Sequence, residues 1–511
     1  MANKYIKLLL LLILVAGILF GLKYFSVGQN VGDFPVVDFS KSGEGTSEPI
    51  DYEVVEVVRG LFVPWSIVFT SDNRILVSER SGAIRVVENG KLLDKPLISF
   101  SVSSEAEDGL MGIELDPDYE ENKLLYACYS YEKGGGLANR VVQIVDDGAS
   151  ASVQKVVIED FPAAQVHAGC RIKFGPEGKL YITVGDAREK TLAQDLDSLA
   201  GKILRLNSDG SIPTDNPFYP SPIYSYGHRN PQGIDWDKNG VLYQTEHGPS
   251  TFDGPPGGDE VNKIEAGKNY GWPVVSHDKS KEGMADPLLV YTPAVAPASA
   301  LVYSGKFIPQ FAGDLFFGGL RGEGLYRVSL KGGSAENLGK VNGVDFGRIR
   351  DVVEAPNGEI YFTTSNRDGR GTVQDGDDKL YKIVQKRKKA GFVIYTNGTR
   401  RDFSDQRYHN LSEKVYIEST NPNQIIFTGD TTWGEFFETL PMKLTKECLT
   451  TGTGQEFCTG ASGKLAFYLD GVLKENVLDM EIKDGGVLLV SFGPENNPAI
   501  EKQVEDSLGI F

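Results

Sequence analysis

Residues 52–387 predict an all-β domain, a β-propeller of six four-stranded blades, on three observations. First, a strand theme recurs: FTSDNRILVSERSGAIRVV from Phe69, FGPEGKLYITVGD from Phe174, WDKNGVLYQTEHG from Trp236, FAGDLFFGGLRGEGLYRVSL from Phe311 and APNGEIYFTTSNRDGRG from Ala355. Each copy has a turn built on Gly or Asp, then an alternating apolar strand centred on Leu or an aromatic, then another turn. That is how antiparallel strands joined by tight turns read. Second, glycine is abundant, 59 of 511 residues, as many positive-φ turn positions require. Third, helical periodicity is scarce before about residue 433. The irregular repeat of roughly 45 to 75 residues suits one four-stranded blade with variable loops, and 52–387 has room for six.

The length of 511 residues predicts two or three domains. With 40% hydrophobic and 24% charged residues the chain has apolar material for more than one core. A net charge of −18 argues against nucleic acid as a partner, because phosphate recognition needs a basic face.

At the N-terminus Lys4 and Lys7 precede an uncharged run from Leu8 to Leu22, which Lys23, Tyr24 and Phe25 close. The run is short for a bilayer, but flanking lysines can snorkel and tyrosines can sit at the interfaces. Residues 1–28 are therefore expected to be an uncleaved signal anchor. A signal peptide cleaved near Ser26-Val27-Gly28 is the alternative. Either places the rest of the chain outside the cytoplasm, periplasmic or extracellular, and secreted if the segment is cleaved. Residues 29–51, with KSGEGTSEP, read as a flexible tether.

The basic cluster Lys386-Arg387-Lys388-Lys389 reads as a boundary linker. Beyond it, 391–511 predicts a small α+β domain of β-grasp type, with strands near 392–395 and 414–418, a short helix at 432–439 and the hairpin-like KLAFYLDGVL and VLLVSFG. No chemistry attaches to it, and its lone His409 makes no metal site. Of the four cysteines, Cys448 and Cys458 are expected to pair in an exported protein, whereas Cys128 and Cys170 are expected to be buried free thiols.

Four clusters carry candidate chemistry. QVHAGCRIKFGPEGKLYITVGD holds His167, Arg171 and Asp186; GHRNPQGI holds His228, Arg229 and Asn230. TEHGPSTFDGPPGGDEVNKIEAGKNYGWP is dense in Gly, Pro and carboxylates; FGRIRDV sets Arg348 and Arg350 on one strand face. Singly, each has a bland reading: a hydrogen-bonding His at a strand end, a surface ion pair, a plain loop.

In their order and spacing, GHRNPQG, NYGWP and RIRD, with LFVPWSIVFTSDNRILVSER and DGLMGIELDPDY, resemble the PQQ-dependent soluble glucose dehydrogenase and aldose sugar dehydrogenase family, the glucose/sorbosone dehydrogenase group. The likeness spans about 52–387 and implies a six-bladed propeller that oxidises an aldose at C1 to its lactone, with PQQ and Ca²⁺ as cofactors. It implies His167 as general base and Asp186 as the carboxylate that orients it. Arg229, Asn230, Arg348, Arg350, Arg321 (where many relatives have lysine) and Glu107 are the implied cofactor-pocket residues. Arginine forks suit the three carboxylates of PQQ. The carbonyls of Gly248 and Pro249 match the cofactor-side calcium ligands, and Glu260 with Tyr270 a second, structural calcium. Electrons would pass to an external acceptor, a quinone or cytochrome, near the membrane.

One departure stands out. About eleven positions past Tyr270, where aldose-type relatives carry an aromatic, this chain has Lys281, which predicts a thinner wall against the quinone. Short substrate-side loops predict an open cleft. Rival readings are a calcium-binding propeller without catalysis, and a propeller lactonase using carboxylates around a central calcium.

Overall fold

The computed structural model describes residues 36–37, 52–412, 414–494 and 497–510. The anchor and most of the tether predicted at 1–51 lie outside the described residues. No helix among the described residues is long and apolar enough to cross a membrane. Among the described residues two compact units are present: Glu56–Lys382 with Val36–Val37, and Ile383 onward with residues 52–55.

Among the described residues the first unit contains six antiparallel sheets built on four strands each. The first sheet runs Pro64–Phe69, Ile75–Glu79, Ala83–Glu88 and Lys91–Leu92, with Ile98–Ser99 also against the third strand. The second runs Leu110–Leu115, Leu124–Lys133, Gly136–Asp146 and Ala151–Ala163. In the third the order is Ile172–Phe174, Leu180–Val184, Lys202–Leu206 and Ile223–Tyr226. The fourth comprises Pro231–Trp236, Leu242–Glu246, Asp259–Ile264 and Leu289–Tyr291, with Val36–Val37 added in parallel at its edge. Leu301–Val302, Leu315–Gly319, Gly324–Lys331 and Ser334–Lys340 make the fifth. The sixth is Ile349–Glu354, Ile360–Thr364, Lys379–Gln385 and, from the start of the domain, Tyr52–Arg59.

The innermost strands neighbour one another in chain order, and the last, Ile349–Glu354, lies beside the first, Pro64–Phe69. Ile67 N–H donates to Asp351 Oδ2 at 2.9 Å across that closure. Six sheets following one another round a closed ring are consistent with propeller blades. Apolar clusters fill the spaces between consecutive sheets: Val68, Ile84, Leu110 and Leu125 between the first and second, Cys128, Phe161, Ile182 and Leu204 between the second and third.

The recurrent sequence theme is the turn from an innermost strand to the second strand, plus that second strand. Gly178 (φ 73°) and Gly240 (φ 80°) occupy the same left-handed position in it, and Asn73 (φ 65°) takes the place in the first sheet. In the second sheet a short helix, Tyr119–Asn122, replaces the turn.

One cysteine expectation is overturned. Cys128 and Cys170 form a disulfide, with Cα atoms 5.7 Å apart, between a strand of the second sheet and the segment entering the third. Forty-two residues separate them, and only ring packing makes them neighbours. Cys448 and Cys458 are also paired, directly opposite in a hairpin.

In the second unit a mixed sheet has the order Val415–Ile417, Gln424–Phe427, Lys388–Thr396, Val487–Gly493, Lys464–Leu469, Val472–Leu473. Its central pair, Lys388–Thr396 with Val487–Gly493, is parallel. The helix Trp433–Thr439 packs Trp433, Phe436 and Phe437 onto the sheet. Thr432 and Glu435 cap it reciprocally, each side chain bonding the other's backbone N–H. A terminal helix, Ile500–Leu508, had no counterpart in the sequence reading.

Candidate active site

In an antiparallel pair the start of the first strand and the end of the second share one rim, and the candidate residues sit there. His167, Arg229 and Arg348 precede innermost strands; Asp186, His247, Arg321 and Asp368 follow second strands. All of these but Asp186 line a cavity of about 420 Å³, whose lining includes Glu107, His167, Arg229, Asn230, Gly248, Pro249, Arg321, Arg348 and Arg350. A volume of that order holds a cofactor-sized molecule. Asp186 stands one layer behind, and Glu260 and Tyr270 lie off the cavity lining.

His167 is buried and sits at φ 59°, in the left-handed region. Its backbone N–H donates to Glu107 Oε2 at 3.0 Å, and Glu107 Oε1 accepts from Arg370 at 3.1 Å. A side chain on Gly185 would collide with the His167 carbonyl, so glycine there lets the third sheet's second strand run against the His segment. His167 Nδ1 is 2.7 Å from Asp186 Oδ1. Asp186 also accepts from Arg188 N–H at 2.9 Å and, on Oδ2, from the Trp272 indole at 2.8 Å. With the carboxylate on Nδ1, the tautomer that leaves Nε2 as a lone-pair base is favoured.

The cavity is cationic. Six arginines line it (Arg80, Arg229, Arg321, Arg348, Arg350 and Arg370) against the carboxylates Glu107, Asp259 and Asp368. Arg348 is committed to Asp368, at 3.0 Å from Nε, and to the Leu320 carbonyl at 2.6 Å. Arg229 Nε is held by Asp253 at 2.8 Å and Nη1 by the His247 carbonyl at 3.2 Å, while Nη2 is buried without a partner. Arg350 has one long bond, 3.4 Å to Gln232 Oε1, and its buried Nε has none. Burial pushes the Arg350 guanidinium down to about 10 and lowers Arg80 as well. Buried donors left open on fixed cations favour an anion between them. Asn230 is occupied by Gln232, 2.9 Å from its Oδ1. Arg321 is exposed at the rim.

Gly248 and Pro249 line the cavity beside Asp259, which receives Gly248 N–H on Oδ1 at 2.8 Å and the Val295 and Ala296 N–H groups on Oδ2; the Pro249 carbonyl accepts Gly257 N–H at 3.2 Å. Calcium takes six to eight oxygens, so two carbonyls hold it only if a bound anion supplies further oxygens. The residues present fit both groups together: arginines for a polycarboxylate, and the Gly248–Pro249 backbone beside Asp259 for its calcium. For the second calcium site the arrangement is less direct. Glu260 faces Glu246 across the strand pair, and burial beside that carboxylate pushes it up to about 8. The Tyr270 hydroxyl is spent at the far end of the strand, on the Lys263 carbonyl (2.7 Å) and the Glu265 amide (2.8 Å).

Lys281 is exposed and does not line the cavity. Aromatic surface comes from elsewhere: the Phe252 ring stacks on His167 at 5.7 Å, and Trp65 lies 5.6 Å from Arg350. Sequence reasoning missed Phe252, Asp253, His247, Asp368 and Trp272. Trp272 stood inside NYGWP, but nothing local in that motif shows that its indole reaches Asp186.

A model of the family described as glucose / sorbosone dehydrogenase matches residues 61–381. The chain is 31% identical over 342 residues to an aldose sugar dehydrogenase of Escherichia coli K12, covering 62% of this chain and 91% of that protein. It is 27% identical over 449 residues to quinoprotein glucose dehydrogenase B of Acinetobacter calcoaceticus, covering 68% and 91%. The structure of the PQQ-bound aldose sugar dehydrogenase of Streptomyces coelicolor superposes with a TM-score of 0.58 at 33% identity, over 66% of this chain and 99% of that one.

Proposed function

Because this chain belongs to the glucose/sorbosone dehydrogenase family, we propose that it is a PQQ- and calcium-dependent quinoprotein that oxidises an aldose at C1 to the lactone and passes the electrons to an external acceptor. One observation carries the reading: a cationic cavity with open donors on Arg229 and Arg350 adjoins a His–Asp pair. When bound, the quinone supplies a two-electron hydride acceptor and calcium a Lewis acid beside its reacting carbonyl.

This chain's own residues do the rest. Arg229, Arg348 and Arg350 would fix the anionic cofactor, and the Gly248–Pro249 backbone would hold its calcium. His167 Nε2 removes the proton from the anomeric hydroxyl as the C1 hydride departs, and Asp186 steadies the imidazolium that forms. Trp272 and the Arg188 amide keep Asp186 in place, and Glu107 holds the His167 backbone.

We further propose a six-bladed propeller, a β-grasp fold for the second unit and action outside the cytoplasm at a membrane. The sheet order around a parallel central pair supports the β-grasp reading. The two disulfides support an oxidising compartment, and the apolar run before residue 23 supports the anchor.

The test is purified protein lacking residues 1–28, loaded with PQQ and Ca²⁺ and assayed with a dye acceptor against a panel of aldoses. Dye reduction with at least one aldose is expected. A folded, PQQ-loaded protein that reduces no dye with any aldose overturns the reading.

A further inference from the structure

Lys202 opens the third strand of the third sheet and is fully buried, with no carboxylate bonded to it. Its Nζ donates instead to three backbone carbonyls, Leu192 at 2.8 Å, Ala193 at 3.1 Å and Ala200 at 2.6 Å. Burial pushes the ammonium down to about 8, and Asp195 is the charged group that pulls it back up. A buried ammonium without a counter-ion is costly. A methionine would fill the same volume more cheaply, but would leave the converging carbonyls unsatisfied.

The segment these carbonyls belong to begins at Asp186. It runs through the 3₁₀ helix Lys190–Gln194 and returns at Gly201, whose N–H bonds the Gly185 carbonyl at 2.8 Å. The Ala193 carbonyl that receives Lys202 also accepts Gly227 N–H at 3.0 Å, and the Gly227 carbonyl accepts Trp272 N–H at 2.9 Å. The next residue, Gln194, donates from Nε2 to the Trp272 carbonyl at 2.7 Å and exchanges a second pair of bonds with Asn269. Both backbone groups of Trp272 are therefore tied to the segment that Lys202 gathers. The Trp272 indole in turn holds Asp186 Oδ2, and Asp186 holds His167.

We propose that Lys202 is a positioning residue, an internal cation that sets the Asp186–His167 pair through the chain Ala193/Gln194–Trp272. It touches neither substrate nor cofactor; it fixes the angle from which Asp186 meets the imidazole. The inference rests on the dehydrogenase reading for its kinetic consequence but not for the link itself. A misplacement of the base by a fraction of an ångström to one ångström costs on the order of 10- to 100-fold in rate.

Three variants test it. Lys202→Met keeps the volume and removes the charge, Lys202→Ala opens a slot ringed by carbonyls, and Gln194→Ala cuts the link nearer Trp272. The kinetic readout is kcat, KM and PQQ affinity of loaded enzyme. The expected result is a kcat lowered about 10- to 100-fold in Lys202→Met and Gln194→Ala, with KM and PQQ affinity within about threefold of wild type. Lys202→Ala should regain activity with n-propylammonium chloride, and Lys202→Met should not. The second readout needs no turnover: the low-field Nδ1–H proton resonance of His167 in the apoprotein, assigned by its loss in Asp186→Asn, should shift or broaden in both Lys202→Met and Gln194→Ala. An unmoved resonance in folded Lys202→Met overturns the proposal. If Lys202→Met does not fold, an unmoved resonance in Gln194→Ala does the same. A moved resonance in a protein whose wild type oxidises no sugar sustains the link and sinks only the dehydrogenase reading.

Discussion

His167 Nδ1 and Asp186 Oδ1 stand 2.7 Å apart, nineteen residues distant in sequence, with both side chains almost wholly withdrawn from water. The carboxylate's other oxygen is held by Trp272, so it cannot rotate away. This rigidity gives the imidazole one tautomer and one direction.

Asp186→Asn should therefore lower kcat by on the order of 10²- to 10⁴-fold, because an amide can turn its donor toward Nδ1 and select the wrong tautomer. His167→Ala should fall in the same range. PQQ affinity, followed by equilibrium titration, should stay within about threefold of wild type in both. A large loss of cofactor binding in His167→Ala would make that residue a structural one.

Arg350 is a buried cation with no ion pair among the described residues: it has one long bond to Gln232, and its Nε has no partner. Arg350→Met should raise the Tm of the apoprotein, because it removes a desolvated charge worth about 1–2 kcal/mol. The same change should weaken PQQ binding about 10- to 100-fold through the lost charge-assisted bonds. Opposite signs in the two measurements distinguish a ligand-directed arginine from one that holds the fold.

The Cys128–Cys170 bond closes a 42-residue separation between consecutive sheets. Replacing both residues with alanine should cost about 3–4 kcal/mol in denaturant unfolding if the loop-entropy account holds. Urea denaturation with and without reductant measures it, and wild type in reductant should approach the double variant.

At the centre of the ring a second cavity, about 430 Å³, is lined by innermost strands and holds Glu114 beside Lys173, Asp235 and Arg171. Burial pushes Glu114 from 4.5 up to about 7, Lys173 and Arg171 drawing it down and Asp235 adding to the rise. Between pH 4.5 and 7 the folded state keeps a proton that the unfolded chain has lost, so this group's contribution to stability falls as pH rises through that window. Glu114→Gln should raise Tm over wild type at pH 8 and leave it unchanged at pH 4. The gain is at most about 3 kcal/mol, and less because the side chain is not fully withdrawn from water.

Much of the first unit was legible because its signals are local. Strand alternation and turn chemistry act over a few residues, so the repeated theme marks the second strand of five of the six sheets before any contact is known. The helix at 432–439 was legible for the same reason, since its capping residues stand three apart. The arginines and His167 were legible through motif order, and the structure brings them to one cavity.

What each of those side chains does there was not legible. Arg348, Arg229 and Arg350 look alike in sequence, yet Asp368 and Asp253 neutralise the first two and leave the third without an ion pair, while Arg229 Nη2 and Arg350 Nε stay open. Phe252 supplies ring surface from a loop with no periodicity, where Lys281 had suggested a gap. Cys128 and Cys170, read as free thiols, became partners only when the second sheet packed on the third. The sequence alone thus determined strands, turns and the inventory of reactive groups, because those follow from local backbone preference and residue chemistry. Ring closure decided pairing, burial and direction, including the carbonyls around Lys202. Coulomb and hydrogen-bond energies depend on distances of a few ångströms between residues that lie tens to hundreds of positions apart in the chain.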